Sequence, residues 1–515
     1  MVQLAVTADS ESADPGVKSF VILATMGDAL VEAGGFEATV ASGTNAGGFF
    51  GFLTSMGVPT WAVGILFLII FGITLLGLFS LRNRGLDQIS EDERLVPAGS
   101  ALNQGDFQQR MSAALDTGQV NESLVSGGVS QAEIDAACEL IDFWRFNCHY
   151  ARGFHDQLQP LVSPDGVVNS TEIRPLEGFV LAITPFNFSS IAANLPSAPA
   201  IVGCTSVWKP SRNSYHSNYV LMRLMMEAGL PPGVINFVPS SGPTISRMAL
   251  SNPDFAGLHF TGSTSTFQGL WKRIGESLDG LRSYPRIVGE TGGKDFIVAH
   301  PECDEQGLIV ALLRGAFEYQ GQKCSAASRA YIPESVWARI SEPLAKEISK
   351  IKMGDASDFT NFMTAVIDQR AFDKITGYID RARERETCDV FVGGGSDDST
   401  GWFIEPTIIV TQDSRSETMV EEIFGPVLCI TTYSNEEEAI ELANDSEYGL
   451  SGGVWSGNED RAMKVARKLR TGQVSINGGA FNVTAPFGGY KKSGLGRELG
   501  VHGMEEFLET KSIQR

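Results

Sequence analysis

Gly321-Gln322-Lys323-Cys324-Ser325 sets a thiol in a short polar turn behind an apolar helical stretch, Leu308 to Phe317, whereas the other six cysteines sit among core-type neighbours. A thiolate beside a positive or helix-terminal field is a potent nucleophile toward a carbonyl carbon near neutral pH. That chemistry also needs a donor for the developing oxyanion and a base that activates water. Pro185-Phe186-Asn187-Phe188 follows a predicted strand and offers a side-chain amide, and Glu290-Thr291-Gly292-Gly293-Lys294 follows another and offers a carboxylate. Singly, each has a plainer reading: Cys324 as a packing thiol, Asn187 as a turn residue, Glu290 as a solvated loop charge. Together they are the three groups that thiol attack on a carbonyl requires.

Other signatures lead away from common alternatives. No G-x-G-x-x-G follows a strand, and Gly293-Lys294 lacks Walker spacing, so neither usual phosphate loop is present. Gly449-Leu450-Ser451-Gly452-Gly453, followed by Asp460 and His502, has the chain order of a serine hydrolase. A polar helical stretch, Glu436 to Asn444, precedes it and a strand follows, which is the reverse of what a nucleophile elbow needs. Seven cysteines without C-x-x-C and six histidines without H-E-x-x-H predict no metal site and no disulfide framework. With 40 Lys and Arg against 61 Asp and Glu, the net charge of −21 and the lack of a basic patch argue against nucleic acid as a partner.

The positioning elements read as α/β. From Pro175 onward short apolar runs alternate with helical stretches: Gly178 to Ile183, Ser206 to Lys209, Val234 to Val238, Gly257 to Phe260 and Arg286 to Gly289 read as strands. Such alternation predicts parallel strands with crossover helices, the clearest being Asn213 to Ala228, stopped by Gly229 and Pro231-Pro232. A second set of strands is expected at Phe296 to Ala299, Arg329 to Ile332, Thr407 to Val410, Val427 to Tyr433, Gly452 to Trp455 and Val474 to Asn477. An amphipathic helix, Gln131 to Arg152, leads into this body.

Ahead of the body lies a different kind of sequence. Trp61 to Leu81 is uncharged throughout, long enough for a hydrocarbon core of about 30 Å, and is followed by Arg82, Arg84 and Arg94. A single-pass membrane protein with its catalytic body in the cytoplasm and the lipid bilayer as a partner is therefore expected. The expected divisions are 1–57 as an extension, 58–84 as a transmembrane helix, 85–130 as a linker, then 131–292, 293–477 and 478–515.

Seven motifs give the body its resemblance: P-F-N at 185–187, K-P-S at 209–211, F-T-G-S at 260–263, E-T-G-G-K at 290–294, G-Q-K-C-S at 321–325, E-E-I-F-G-P-V at 421–427 and P-F-G-G-Y-K-K-S-G at 486–494. In this order they resemble the aldehyde dehydrogenase superfamily over residues 131 to 515. The resemblance implies a Rossmann-type nucleotide-binding domain (131–292), a catalytic α/β domain (293–477) and a small oligomerisation element, with a hairpin at about 161–174 and the tail 478–515. Residues 131 to 340, with Phe267 where most relatives have Gly, resemble the 1-pyrroline-5-carboxylate (glutamate semialdehyde) dehydrogenases. From about residue 434 the chain resembles general or betaine-type aldehyde dehydrogenases instead. The alternatives are a broad-specificity or betaine-type aldehyde dehydrogenase tethered to a membrane and an inactive membrane-anchored fusion.

By the same resemblance Cys324 is the nucleophile, Asn187 the oxyanion donor together with the Cys324 backbone N–H, and Glu290 the general base for thioester hydrolysis. NAD is the expected cofactor, held by Lys209, Ser211, Arg212, Gly262, Ser263, Glu422 and Phe424. Arg212 replaces a ribose-gripping Glu of many NAD-using relatives, which leaves NADP open. Ser325 is the expected contact for a substrate carboxylate, and Phe188, Phe481 and Phe487 the walls of the aldehyde tunnel. Gly489 and Tyr490 stand in the loop that holds the substrate's far end, where the semialdehyde enzymes carry a small residue in place of Tyr490. The family commonly self-associates, so a homo-oligomer is expected.

Overall fold

The computed structural model describes residues 134–515, apart from residues 158, 161 and 359. The expectations for 1–57, 58–84 and 85–130, including the span 61–81, lie outside the described residues. A π-turn at Ile134–Cys138 leads into α1 (Glu139–Gln157), and β1 (Asn169–Pro175) follows.

The first α/β unit is built from β2 (Phe179–Ile183), α2 (Ser189–Ile201), β3 (Thr205–Lys209), α3 (Tyr215–Glu227), β4 (Ile235–Phe237), α4 (Gly242–Ala249), β5 (Phe255–Thr261), α5 (Thr264–Ser277) and β6 (Arg286–Glu290). Its strands run parallel in the order β4-β3-β2-β5-β6, with the chain reversing direction across the sheet at β2, as in dinucleotide-binding sheets. Every residue of β5 is buried, His259 and Thr261 included, as in a strand covered on both faces. All five strands expected between 178 and 289 are present. The helix expected from Asn213 begins instead with a 3-10 turn, Arg212–Ser214, before α3, and Gly229, with φ +98°, ends it.

The second unit comprises β7 (Asp295–Ala299), α6 (Glu305–Phe317), β8 (Ala327–Pro333), α7 (Glu334–Ile348), α8 (Gln369–Arg383), β9 (Cys388–Val392), the ribbon β10 (Ser396–Asp397) with β11 (Phe403–Ile404), β12 (Thr407–Thr411), α9 (Glu417–Val420), β13 (Val427–Tyr433), α10 (Glu436–Asn444), β14 (Ser451–Trp455), α11 (Glu459–Ala466) and β15 (Gln473–Ile476). Its sheet runs β15-β14-β7-β8-β13-β12-β9, parallel except for β9. The antiparallel edge β9, with Asp389 exposed and its other four residues half-buried, is not among the expected strands; the six parallel members are. Two apolar clusters flank this sheet, one around Ile375, Ile409 and Val427, the other around Leu312, Ile340 and Leu428.

The tail returns to both ends of the first unit. β16 (Gly494–Leu495) adds antiparallel to β6, α12 (Gly500–Glu505) packs near α1, and β17 (Leu508–Gln514) pairs with β1 in an exposed two-stranded ribbon. Among the described residues the segment 161–174 thus contributes one strand to this ribbon, paired with the C-terminal tail.

Candidate active site

The helix α6, N-capped by Asp304, stops at Phe317, and the chain then turns sharply to deliver Cys324. Tyr319 and Gln320 adopt φ of 56° and 54°, and Gly321 follows at 65°. Each left-handed non-glycine residue costs roughly 1–2 kcal/mol, so the surroundings must hold the turn. At Gly321 a Cβ would lie 2.2 Å from the carbonyl oxygen of Gly425, so only glycine fits. Tyr319 is fully buried and its ring meets that of Phe188 at 4.9 Å, which seats the nucleophile turn on the P-F-N loop. Cys324 is half-buried and Ser325 is exposed.

Asn187 leaves β2 through Pro185 and Phe186 and is only 7 % exposed. Its Nδ2 donates to the backbone carbonyl of Gln322 at 3.0 Å. The amide carries a second N–H, and with one tied to the nucleophile loop its plane is fixed relative to Cys324. The following helix, α2, is almost entirely buried despite Pro196 and Pro199 within it. Pro199 has no N–H, so the carbonyl of Leu195 lacks its helical donor, and His259 Nδ1 lies 2.9 Å from it. From the other side α1 holds α2 through Trp144 Nε1 on Ser197 Oγ (2.8 Å) and Asn147 Nδ2 on Asn194 Oδ1 (2.9 Å).

Glu290 ends β6 and is 2 % exposed. Its Oε2 accepts from the backbone N–H of Gly489 at 3.1 Å, and Oε1 has no hydrogen-bond partner among the described residues. A second buried carboxylate, Glu498, accepts from Thr261 Oγ1 at 3.2 Å. Burial above all, then the charge of Glu498, pushes the Glu290 carboxyl well above the usual carboxylate range, against the pull of the Gly489 N–H and Arg497. A raised pKa makes the ionised carboxylate a stronger proton acceptor, which suits a base.

The electrostatics at Cys324 correct the expected positive field. Burial, followed by the carboxylates of Asp295, Glu290, Glu422 and Glu498, pushes its thiol far up. The neighbouring cation, Lys323, is occupied elsewhere: its Nζ pairs with Asp135 and Glu318, each at 3.3 Å, and lies 4.7 Å from the Tyr319 ring.

The expected cofactor residues fall at the carboxyl ends of the first sheet's strands and, for Glu422 and Phe424, just ahead of the amino end of β13 in the second. Lys209 ends β3, with burial lowering its pKa, and Ser211 and exposed Arg212 form the turn beyond it. Gly262 and Ser263 follow β5; Ser263 caps α5 by accepting from the Thr266 N–H and donates to Thr266 Oγ1 at 2.8 Å. Phe267 packs this helix against Gly289, where a Cβ would stand 2.2 Å from the ring. A helix N-terminus with hydroxyls and open N–H groups beside a strand-end lysine suits a dinucleotide's pyrophosphate and ribose. Across from it Glu422 Oε1 accepts from the Gly293 N–H at 3.1 Å, and Phe424 meets Phe186 at 6.0 Å. These residues fit NAD.

The expected substrate residues divide. Ser325 is exposed beside Cys324, and Phe481 and Phe487 meet edge to face at 6.0 Å. Phe188 turns inward onto Tyr319, and Gly489 is buried with its N–H on Glu290. Tyr490 is 47 % exposed, and the Arg497 guanidinium lies 5.7 Å from its ring. Gln320, Gln322, Asp295 and Glu498 were not singled out from sequence. Two glutamines flanking the glycine before Cys324 were the available signal for the first pair; nothing in R-E-L-G distinguishes a buried Glu498 from a surface one.

Comparison with known proteins places this geometry. Residues 110–513 match the aldehyde dehydrogenase family, starting ahead of the body's first helix as read from sequence. A delta-1-pyrroline-5-carboxylate dehydrogenase of Agaricus bisporus is 44 % identical over 423 residues, 80 % of this chain and 76 % of that protein. The human mitochondrial enzyme of that name is 44 % identical over 381 residues, 72 % of this chain and 67 % of that one. The crystal structure of the Mycobacterium tuberculosis delta-pyrroline-5-carboxylate dehydrogenase bound with NAD superposes with a TM-score of 0.70 at 41 % identity, covering 81 % of this chain and 79 % of its own. A betaine aldehyde dehydrogenase structure from Staphylococcus aureus, in complex with NAD, gives a TM-score of 0.70 at 31 % identity, covering 79 % and 82 %. The human and Dictyostelium discoideum relatives are named mitochondrial, and among the described residues no helix is long and apolar enough to cross a membrane. The expectation of a single-pass membrane protein with a cytoplasmic body and a bilayer partner is corrected accordingly. The chain belongs to the aldehyde dehydrogenase family.

Proposed function

We propose that this protein oxidises L-glutamate 5-semialdehyde, the open form of 1-pyrroline-5-carboxylate, to glutamate with NAD. The observation that carries the chemistry is the bond from the Asn187 amide to the Gln322 carbonyl, which ties an oxyanion donor to the loop bearing Cys324. The relatives that carry the pyrroline-5-carboxylate name at 44 % identity span the whole site and support the substrate. The exposed Ser325 hydroxyl, adjacent to the thiol, is a donor suited to the substrate's carboxylate.

Cys324, once deprotonated, adds through sulfur to the aldehyde carbon, and the second N–H of Asn187 and the Cys324 backbone N–H receive the alkoxide. When bound, NAD supplies the two-electron acceptor that turns this adduct into a thioester. Lys209, Ser211, Arg212, Gly262 and Ser263 would hold its adenosine and pyrophosphate, and Glu422 and Phe424 its nicotinamide riboside. Glu290 then takes a proton from water as the hydroxyl adds to the thioester carbon, and the carbon–sulfur bond breaks to return the Cys324 sulfur.

Two features favour a second reading of specificity. Exposed Tyr490 fills the position of a small anchor residue and supports a broad or betaine-type aldehyde preference, and exposed Arg212 is suited to a 2′-phosphate and so to NADP. The exposed ribbon of β1 and β17 is the edge through which a homo-oligomer would form, and the division 131–292, 293–477 and 478–515 goes with this assignment. Formation of reduced nicotinamide from glutamate semialdehyde, betaine aldehyde and hexanal, each with NAD and with NADP, is the test. The highest kcat/KM with the semialdehyde and NAD upholds the proposal; a preference for hexanal or betaine aldehyde replaces it with the second reading.

A further inference from the structure

The turn that delivers Cys324 does not hold itself. Tyr319, Gln320 and Gly321 are consecutive left-handed residues, an arrangement that L-amino acids adopt only when neighbours impose it. The neighbours are the two glutamines on either side of Gly321, 2 % and 4 % exposed. Gln320 Nε2 donates to the carbonyl of Ala365 at 3.3 Å, and its Oε1 accepts from the Thr364 N–H at 3.1 Å. Gln322 Oε1 accepts from the Ile367 N–H at 3.0 Å. Two side chains thus pair with the main chain of 364–367 much as a strand would, while the Gln322 carbonyl receives Asn187.

The segment they grip is anchored at its far side. Val366 N–H donates to the carbonyl of Trp402 at 2.9 Å. Asp368, two residues on, caps α8 through the Ala371 N–H at 2.8 Å and accepts from Asn213 Nδ2 at 2.9 Å. Residues 364–368 therefore form a strut with contacts to the chain entering the β10–β11 ribbon, to α8 and to the turn beyond Lys209.

We propose that Gln320 and Gln322 are positioning residues that register the nucleophile turn and the Asn187 amide against this strut. The proposal rests on Cys324 as the nucleophile, and it assigns the two glutamines no contact with substrate. Because the Gln322 Oε1 is committed to Ile367, its Nε2 is left buried with no partner among the described residues, so this side chain acts only as an acceptor toward the strut. Removing that acceptor releases the turn, and displacing a reacting atom by about an ångström costs on the order of a hundredfold in rate.

The test is hydrolysis of p-nitrophenyl acetate and alkylation of Cys324 by iodoacetamide in Gln322→Met and Gln320→Met, alongside NAD binding by the full-length protein. The expected result is a ten- to hundredfold loss of Cys324-dependent ester turnover and a changed alkylation rate, with NAD affinity within twofold of wild type. Should either Met variant not accumulate as folded protein, Gln322→Asn, which keeps the amide but withdraws it by one methylene, carries the same expectation. Ester turnover and alkylation within twofold of wild type overturn the proposal. So does an equal loss of NAD affinity, which would assign the glutamines to general folding. Ester hydrolysis needs neither NAD nor the semialdehyde, so a wrong substrate leaves this test standing; wild-type protein with no Cys324-dependent ester turnover would instead sink the nucleophile itself.

Discussion

The amide of Asn187 and the backbone carbonyl of Gln322, 135 residues later, meet at 3.0 Å, and that bond ties the proposed oxyanion donor to the loop that carries Cys324. Replacing Asn187 with Ala removes both the tether and the donor. A loss of about 10²–10³ in kcat is expected, the usual effect of deleting one oxyanion donor. Asn187→Asp should be worse, since its carboxylate would repel both the Gln322 carbonyl and the alkoxide. Steady-state kinetics with unchanged NAD affinity is the check; Asp matching wild type would mean that the amide donates to neither.

The thiol offers a second prediction, because burial, and after it the surrounding carboxylates, push Cys324 well above the ordinary thiol value. An unperturbed cysteine, with a pKa near 8.5, reaches its full alkylation rate by about pH 10. In the protein without NAD, the rate at Cys324 should still climb close to tenfold per pH unit through that point. A plateau below pH 9, seen by iodoacetamide alkylation and peptide mapping, would place the thiolate in a positive field after all.

How much of this was legible beforehand depends on the kind of signal. The parallel strands were readable because short, mostly apolar runs such as that of β5, broken only by His259 before Thr261, alternate with helical stretches. Cys324, Asn187 and Glu290 were readable only as a set and through the motifs around them, since each alone has a plainer structural reading. The charge around the thiol was not. Lys323 adjoins Cys324 in sequence yet pairs with Asp135, while Asp295 and Glu498 act on the thiol from 29 and 174 residues away. Nor was the inward turn of Phe188 foreseeable, since Tyr319, its partner, becomes available only through a left-handed turn.

Glu290 can be separated from the first half of the reaction. Glu290→Gln keeps an oxygen for the Gly489 N–H, so the loop should stay in place, but the amide cannot accept a proton from water. Thioester formation should persist while its hydrolysis slows, giving a stoichiometric burst of reduced nicotinamide followed by a rate lowered by about 10²–10⁴. Rapid mixing would show it. A linear time course at the wild-type rate would remove Glu290 from the base role.

The last prediction concerns stability. Asp295 opens β7 and is 2 % exposed; its two oxygens accept from the backbone N–H and the hydroxyl of Ser451, each at 3.0 Å, pinning β7 to the start of β14. Burial, reinforced by the charge of Glu422, raises its pKa from 3.8 to about 7, against the pull of the Ser451 donors and Arg329. In the unfolded chain the proton leaves near 3.8, in the native protein near 7, so between those values the native state holds one more proton. Stability from this group therefore falls as pH rises through that window, by on the order of 1 kcal/mol per pH unit, and levels off above it. Asn in its place does not titrate, offers an oxygen to the Ser451 N–H and can donate its amide to the Ser451 hydroxyl. Relative to wild type, Asp295→Asn should thus gain stability steadily from pH 5 to 7 and hold that gain at pH 8, as read from urea unfolding midpoints and slopes. A difference that stays constant across the range would mean that Asp295 is already ionised in the folded protein, with Arg329 close enough to keep it so.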